Sequence, residues 1–586
     1  MKRFHEQYIS QIKQLADQMQ EEEMLQLTEE LFSLFETTGN RLKYEAVYFM
    51  RRKFLAVYGM ASYVFQRASD IKKLETVLEE ICDEECWALP AHVNRRENPD
   101  WRNTVDLFAS ETAQALAEIV TWINGKLPEN NKLSEWVCER VKTEIERRIL
   151  IPFEQNRQGW ECSDHNWNAV CAGSIGSAAL YLLAGKDESG LETLLKRICH
   201  SLSYYLNGFR EDGACMEGIG YFTYGMTYFT GFAEQLLRHS NGKINLFDNE
   251  KVRKIAEFQQ KMYFSSGQTV SFSDGDTSAK FRAGLTAFLA KQYDTVKIPD
   301  MKYAAQFETD SCYRFMGLLR DYEWTKDSED NKTAEEKFVT RARHDVLSYA
   351  QWSICESGNG IGFAIKGGDN GEPHNHNDVG SFFYVINEEQ LLCDLGAGEY
   401  TAEYFGAGRY DILCNSSEGH SVPVVSGNYQ KDGAKYKTSL FEADGKGRTR
   451  MEFSGAYEKG IVKKLTREAS FSLENGNLVI TDSFVMDRVE NADEVSVSKC
   501  FTETLVTKGT VNLEGCTLLI QGEAARCKVQ IEGNTENLRV QEKIHSNHEG
   551  KQEVVRLIQW ETIPQIQTGE KGEQYYGVSK YTIWPY

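Results

Sequence analysis

Two histidines, His374 and His376, stand one residue apart in GEPHNHNDVGSFFYV (371–385), in a chain with only eleven histidines. Imidazole is a common metal ligand and a general acid or base near neutral pH. The pair therefore points to a metal site, an active site, or a plain loop of hydrogen-bonding histidines. In an extended segment residues i and i+2 face the same side, which predicts that both rings project together. Asp394 follows in LLCDLG after one hairpin's length, and His420 follows in NSSEGHSVPVV. Two imidazoles and a carboxylate at the ends of neighbouring strands make a three-ligand zinc set, with a fourth place for water or another group. Ligands gathered from separate strands have no fixed spacing, so spacing alone leaves the plain loop open.

A second polar cluster lies earlier. CSDHNWNAVCAGSIGSAALYL (162–182) sets Asp164, His165, Asn166 and Asn168 ahead of a helix of small residues. EDGACMEGIGYFTYGMTYF (211–229) then crowds Tyr221, Tyr224 and Tyr228 at helical spacing behind a glycine-rich turn. Such a turn would expose at least one phenol at a helix start, although the same spacing also suits core aromatics. Asp274, in SFSDGD, reads as a solvated turn.

The elements that must position these groups change character along the chain. Over roughly the first 340 residues the apolar period is helical. Leu116, Ile119, Val120 and Ile123 predict a helix ending at Asn124-Gly125, and Val137, Val141, Ile145 and Ile149 predict one that Pro152 stops. Further helical stretches cover 176–184, 191–205, 222–238 and 250–263. Amphipathic helices joined by short loops predict stacked helical pairs, an (α/α) toroid over 1–340. The polar segment 321–345 reads as a linker or a long surface loop. Beyond it the period becomes two. FSLENGNLVITDSFV (471–485) predicts a hairpin on a type I′ turn at Asn475-Gly476, and TVNLEGCTLLIQG (510–522) repeats the device around Glu514-Gly515. Short strands over more than 200 residues predict an antiparallel β-sandwich over 341–586.

Composition bounds the function. The chain has 586 residues, 41% of them apolar, which is enough for two cores of ordinary domain size. No run of about 18 apolar residues exists to span a membrane, and the start, MKRFHEQYISQIKQLADQMQEEEM, lacks the apolar stretch of a secretory signal. A cytoplasmic protein is expected, and the fourteen scattered cysteines then read as free, mostly buried thiols. Cys82 and Cys86 form a CxxxC with no second pair to complete a zinc knuckle. A net charge of −21 argues against a nucleic-acid partner but not against acidic sugars held in a local basic cleft. A homo-oligomer is compatible with the chain.

HNHND, LLCDLG, RYDILCNSSEGHSVPVV, HNWNAVCAG and DGACMEGIGYFTYG, in this order of halves, resemble the heparinase II/III-like polysaccharide lyases, a family that includes heparinases II and III and related alginate lyases. The motifs cover roughly residues 150 to 430. The resemblance implies a helical toroid followed by an antiparallel β-sandwich, and β-elimination across 4-linked uronic acids such as those of heparan sulfate, chondroitin, hyaluronan or alginate. It implies His374 as catalytic and His376, Asp394 and His420 as ligands of a structural Zn2+, with Gly419-His420-Ser421 standing where the family has an Ala-His-Asn-Thr-like segment. It further implies Asn166, with His165 adjacent, at the substrate carboxylate, and Tyr221 as the catalytic tyrosine about 55 residues on. A second tyrosine would be Tyr410, with Tyr404 as rival. Tyr224, Glu217, Tyr404 and Arg409 are expected near substrate. A glycoside hydrolase using Asp212 and Glu217, or a carbohydrate-binding protein with a structural zinc, would be the alternative on the same scaffold.

Overall fold

The computed structural model describes residues 1–326, 342–401, 403–487, 501–569 and 572–586. Helices precede antiparallel sheets along the chain, as the change of period predicts. Two compact units form, one from Met1–Phe209, Tyr221–Ala256 and Lys280–Glu336, the other from Arg210–Gly220, Glu257–Ala279 and Lys337–Tyr586. The sheet unit thus takes two segments from the helical half of the sequence, and both carry site residues.

In the helical unit, the helix Asn166–Leu183 is buried on nearly all sides. Its small residues are what let neighbours approach. A Cβ added at Gly173 would lie 2.7 Å from the carbonyl oxygen of Tyr228, and one at Gly176 would lie 2.4 Å from the Phe232 ring. Both contacts advance in the same direction along the helix Ile219–His239, so the two helices run parallel.

Two predicted helix ends move. Leu107–Glu118 continues through a wide turn, Ile119–Ile123, to Lys126, so Asn124-Gly125 is not its stop. Glu135–Ile145 likewise continues through Glu146–Leu150 into Ile151–Gln155. Pro152 falls at the start of that last segment, just after a wide turn, where a missing N–H is tolerated. The stretch 250–263 is broken into Glu250–Ala256 and Phe258–Met262. The supposed linker begins inside the helix Phe315–Lys326, because its charges are paired inside the fold: Arg320 with Glu118 at 2.6 Å and Asp321 with Arg282 at 3.0 Å. Arg343 already begins a strand, and residues 327–341 lie outside the described ones.

In the sheet unit, Arg343–Leu347, Trp352–Glu356, Gly362–Lys366, Phe382–Ile386 and Glu389–Leu392 form a five-stranded antiparallel meander. A nine-stranded sheet runs in the order Thr510–Glu514, Thr517–Gln521, Arg526–Glu532, Gly572–Pro585, Leu478–Asp487, Lys464–Phe471, Arg448–Glu452, Leu440–Ala443, with Gln565–Gly569 beside Gly572–Pro585. Thr535–Ser546, Gln552–Thr562, Phe501–Thr507 and Val424–Val425 make a four-stranded sheet. Apolar side chains of all three sheets, among them Phe363, Phe484 and Trp560, share one core. The hairpin at Asn475-Gly476 forms, but only Gly476 (φ 79°) has a positive φ. The loop closes between Ser472 and Asn477, so it is wider than a type I′ turn, which needs positive φ at both central residues. Glu514 pairs with Thr517 across Gly515 (φ 64°) and Cys516, a two-residue turn.

None of the described cysteines is in a disulfide, and most are buried. No described helix is long and apolar enough to cross a membrane.

Candidate active site

His374 and His376 do not sit at the mouth of a strand. They lie in the loop between Asp369–Asn370 and Phe382–Ile386, and His374 has left-handed backbone (φ 54°). What brings the two rings together is Asp274, not the alternation of a strand. His374 Nδ1 lies 2.7 Å from Asp274 Oδ2, and His376 Nε2 lies 3.0 Å from Asp274 Oδ1. Tyr400 donates its hydroxyl to Oδ2 at 2.9 Å, and the Tyr404 hydroxyl donates to Oδ1. The expectation of a solvated turn at Asp274 is therefore overturned: its side chain is fully buried. Burial alone would raise this carboxyl, but the hydrogen bonds from His374 and His376 outweigh it and hold it far below the usual carboxylate range.

His376, Asp394 and His420 converge, all buried, with one ligand atom of each within 4.8 Å of the others. They come from loops rather than strands. Asp394 lies two residues beyond Glu389–Leu392, and His420 follows the short helical turn Ser417–Gly419. Gly419 is required there, since a Cβ would lie 2.2 Å from the Leu413 carbonyl oxygen. Each imidazole is anchored by its far nitrogen: His376 Nε2 on Asp274, and His420 Nε2 on the Cys414 carbonyl at 2.7 Å. Carboxylate and carbonyl oxygens only accept, so the hydrogens sit on Nε2 and the lone pairs on Nδ1 face inward. His376 Nδ1, His420 Nδ1 and Asp394 Oδ2 are buried polar atoms that no described hydrogen bond satisfies. The last two stand 3.4 Å apart, the edge that two ligands about 2.0–2.1 Å from one tetrahedral ion subtend. Burial would lower the His420 imidazole, yet the Asp394 carboxylate raises it; burial would raise Asp394, and His420 brings it down. The pair is thus built to share a positive charge, and the donor set fits a divalent cation.

Around His374, Nε2 lies 3.7 Å from Glu217 Oε2, and Arg210 pairs with Glu372 two residues before it. Arg409 donates to the carbonyls of Asn375, at 3.1 Å, and Tyr404, at 3.0 Å, so its guanidinium braces the histidine loop from inside. The two rival tyrosines differ. The Tyr404 side chain is buried, its phenol is spent on Asp274, and burial and then that carboxylate push it far up. Tyr410 is half-buried on the turn Arg409–Asp411. Asp212 accepts from the backbone N–H groups of Tyr349 (2.7 Å), Ala350 (3.2 Å) and Ala214 (3.3 Å), which makes it a loop staple rather than an available hydrolytic carboxylate.

The remaining expected residues sit in the helical unit. Asn166 opens its helix with His165 as N-cap. The Gly173–Tyr228 contact puts residues 55 positions apart side by side, and Gly176 meets Phe232, 56 positions on; Asn166 opens the first of these helices and Tyr221 stands in the first turn of the second. One turn on, Tyr224 gives its phenol to Glu111, beneath the Arg314 guanidinium 4.1 Å from the ring centroid. Burial lifts Glu111 to about 7 against the pull of Arg314. Sequence reading missed His92, whose Nδ1 lies 2.7 Å from buried Asp106 and whose ring meets Trp167 at 4.8 Å. It also missed Tyr400. A histidine 75 positions from its ring partner Trp167 carries no local signal.

No protein-family model and no curated protein matches the chain. Solved structures do. A mutant of heparan sulfate lyase HepC from Pedobacter heparinus superposes with a TM-score of 0.63 at 11% identity, covering 98% of this chain and 83% of that one. A heparinase III structure gives 0.60 at 14% identity over 93% and 77%. Streptomyces coelicolor A3 chondroitin AC lyase, in complex with chondroitin sulphate, gives 0.53 at 9% identity over 99% and 79%. At these identities the likeness is one of fold: a helical toroid followed by antiparallel sheets.

Proposed function

We propose that this chain is a polysaccharide or oligosaccharide lyase that cleaves 4-linked uronic acid glycans, glycosaminoglycans in the first place, by β-elimination. The observation that best supports the reading is His374, held on buried Asp274 beside the convergent His376–Asp394–His420 cluster. The fold shared with lyases acting on heparan sulfate and chondroitin supports it.

The chemistry needs these groups. The C5 hydrogen of a uronate is α to a carboxylate, so its removal creates an enolate-like dianion that water stabilises poorly. Donors aimed at that carboxylate contribute several kcal/mol; Asn166 and His165 are proposed to supply them. A base takes the C5 hydrogen, the C4–O4 bond breaks as the C4–C5 double bond forms, and an acid protonates the departing O4. Tyr221 is proposed as the acid, and His374 as the base or as the charge that makes a phenol of ordinary pKa about 10 usable. Tyr410 is the second tyrosine in this scheme, because Tyr404 is committed to Asp274.

His376 Nδ1, Asp394 Oδ2 and His420 Nδ1 would hold Zn2+. When bound, it supplies a positive charge that pins three loops together. This chain's own residues then keep His374 in place.

The test is incubation with heparan sulfate, chondroitin, hyaluronan and alginate, following the ultraviolet absorption of the conjugated product. Absorbing ends should appear without uptake of solvent oxygen, and Tyr221→Phe should lose at least about 100-fold in rate. Cleavage that incorporates water and yields no absorbing product would establish a hydrolase instead.

A further inference from the structure

We propose that Asp274 is a positioning residue that holds His374 and His376 in one frame, so that filling the His376–Asp394–His420 cluster and orienting His374 are a single event. This rests on the reading of His374 as a reacting imidazole.

The carboxylate is spent on both sides. Oδ1 faces His376 Nε2 at 3.0 Å and accepts from the Tyr404 hydroxyl; Oδ2 faces His374 Nδ1 at 2.7 Å and accepts from Tyr400 at 2.9 Å. It cannot turn without breaking four hydrogen bonds. Because it only accepts, it fixes the hydrogen-bearing nitrogen of both rings at once. His376 must present Nδ1 to the cluster, and His374 must present Nε2 to the side where Glu217 stands 3.7 Å away. Asp274 is itself held. Ser273 before it is left-handed (φ 62°) and gives its hydroxyl to the Met216 carbonyl at 3.2 Å, next to Glu217. His374, also left-handed, sits in a conformation that non-glycine residues keep only when the surroundings over-determine it. The Asp274 bond is one of the ties that does so.

An amide in this place breaks the symmetry. Asparagine offers one acceptor and one donor, so one imidazole keeps its partner and the other must flip its tautomer or face N–H against N–H. Loss of tautomer control with geometry preserved is how an aspartate-to-asparagine change disables a catalytic triad.

The experiment compares the full-length chain with Asp274→Asn. Zn2+ affinity is measured by competition with a chelator, Co2+ is used as a visible-absorption probe of the cluster, and kcat and KM are measured on the active glycan at saturating metal. Asp274→Asn should bind Zn2+ about 10–100-fold more weakly. With metal saturating, its kcat should stay at least about 100-fold down while KM moves less than about threefold. Unchanged affinity, or kcat restored by saturating metal, overturns the proposal. If Asp274→Asn does not fold, Tyr404→Phe keeps the carboxylate and removes one donor from Oδ1; affinity and kcat should then fall together, and a fall in only one of them refutes the link. If the wild type cleaves no glycan, the functional reading fails on its own, and the 15N shifts of His374 still decide this one. They should change when metal is added to the wild type but not to Asp274→Asn; a wild-type resonance indifferent to metal overturns it.

Discussion

Arg467 is the perturbation with the largest calculable consequence. It is fully buried on the strand Lys464–Phe471, and its guanidinium meets Asp482 on the adjacent strand and Glu503 on another sheet. It also donates to the carbonyls of Gly380 at 2.8 Å and Ser421 at 2.7 Å. Those two carbonyls belong to the loop that carries His376 and to the residue after His420, so one side chain ties the His376 and His420 loops to two sheets. Arg467→Ala strands two buried carboxylates, for which breaking a buried pair costs about 3–5 kcal/mol. Loss of the carbonyl contacts adds about 1 kcal/mol net. Glu503 limits the total, because burial, and then Asp482, already raise its carboxyl well above the usual range, so it can take up a proton. A loss of about 4–6 kcal/mol is a large part of the roughly 5–15 kcal/mol that folded proteins hold. Urea unfolding followed by tryptophan fluorescence measures it, alongside chelator competition for Zn2+. Replacing Arg467, Asp482 and Glu503 together by Met, Leu and Met should recover much of the stability while leaving the metal weakly held, since Gly380 and Ser421 still lack their donor. Stability within about 1 kcal/mol of wild type in Arg467→Ala, with unchanged metal affinity, would refute the reasoning.

Two further outcomes follow from groups outside the reacting set. His545 is buried and pushed down to about 4, first by burial and then by Lys508. The unfolded imidazole takes its proton near 6.5 and the folded one only near 4. Its stabilisation is therefore complete above about pH 6.5, and about 3 kcal/mol is lost as pH falls toward 4. His545→Gln should flatten that limb in urea midpoints measured from pH 4 to 7; an unchanged slope would show that another group carries it. Gly173→Ala should cost about 1–3 kcal/mol by overpacking and lower kcat by shifting the helix of Asn166 against that of Tyr221, whereas Gly125→Ala, at an exposed helix end with open space around it, should leave kcat alone. Equal rates in wild type and Gly173→Ala would separate the helix register from catalysis.

How much of this was legible in the sequence depends on the distance over which each feature is decided. Period and turn chemistry are local, and they give helices before sheets and the hairpin at Gly476; the turn type was misread because Asn475 keeps a negative φ once the loop widens to Ser472. Pro152 was misread for the opposite reason: a wide helical turn just before it removes the clash that a helix interior would impose. The convergence of His376, Asp394 and His420 was legible because histidine and aspartate advertise their chemistry by type. Asp274 was not, since an aspartate beside a glycine is most often a solvated turn, and the four donors that bury it lie 100 to 130 residues away. The same holds for the 55-residue interval between Asn166 and Tyr221. The resemblance supplied that interval as a bare spacing; the structure adds that Gly173 and Gly176 let one helix seat against Tyr228 and Phe232 of the other, at offsets of 55 and 56 residues. Candidates for the chemistry can thus be named from their type, whereas the residues that hold them in place are fixed by pairing across the fold. Asp274 and Gly173, neither of which needs to touch a substrate, are where substitution separates the two roles.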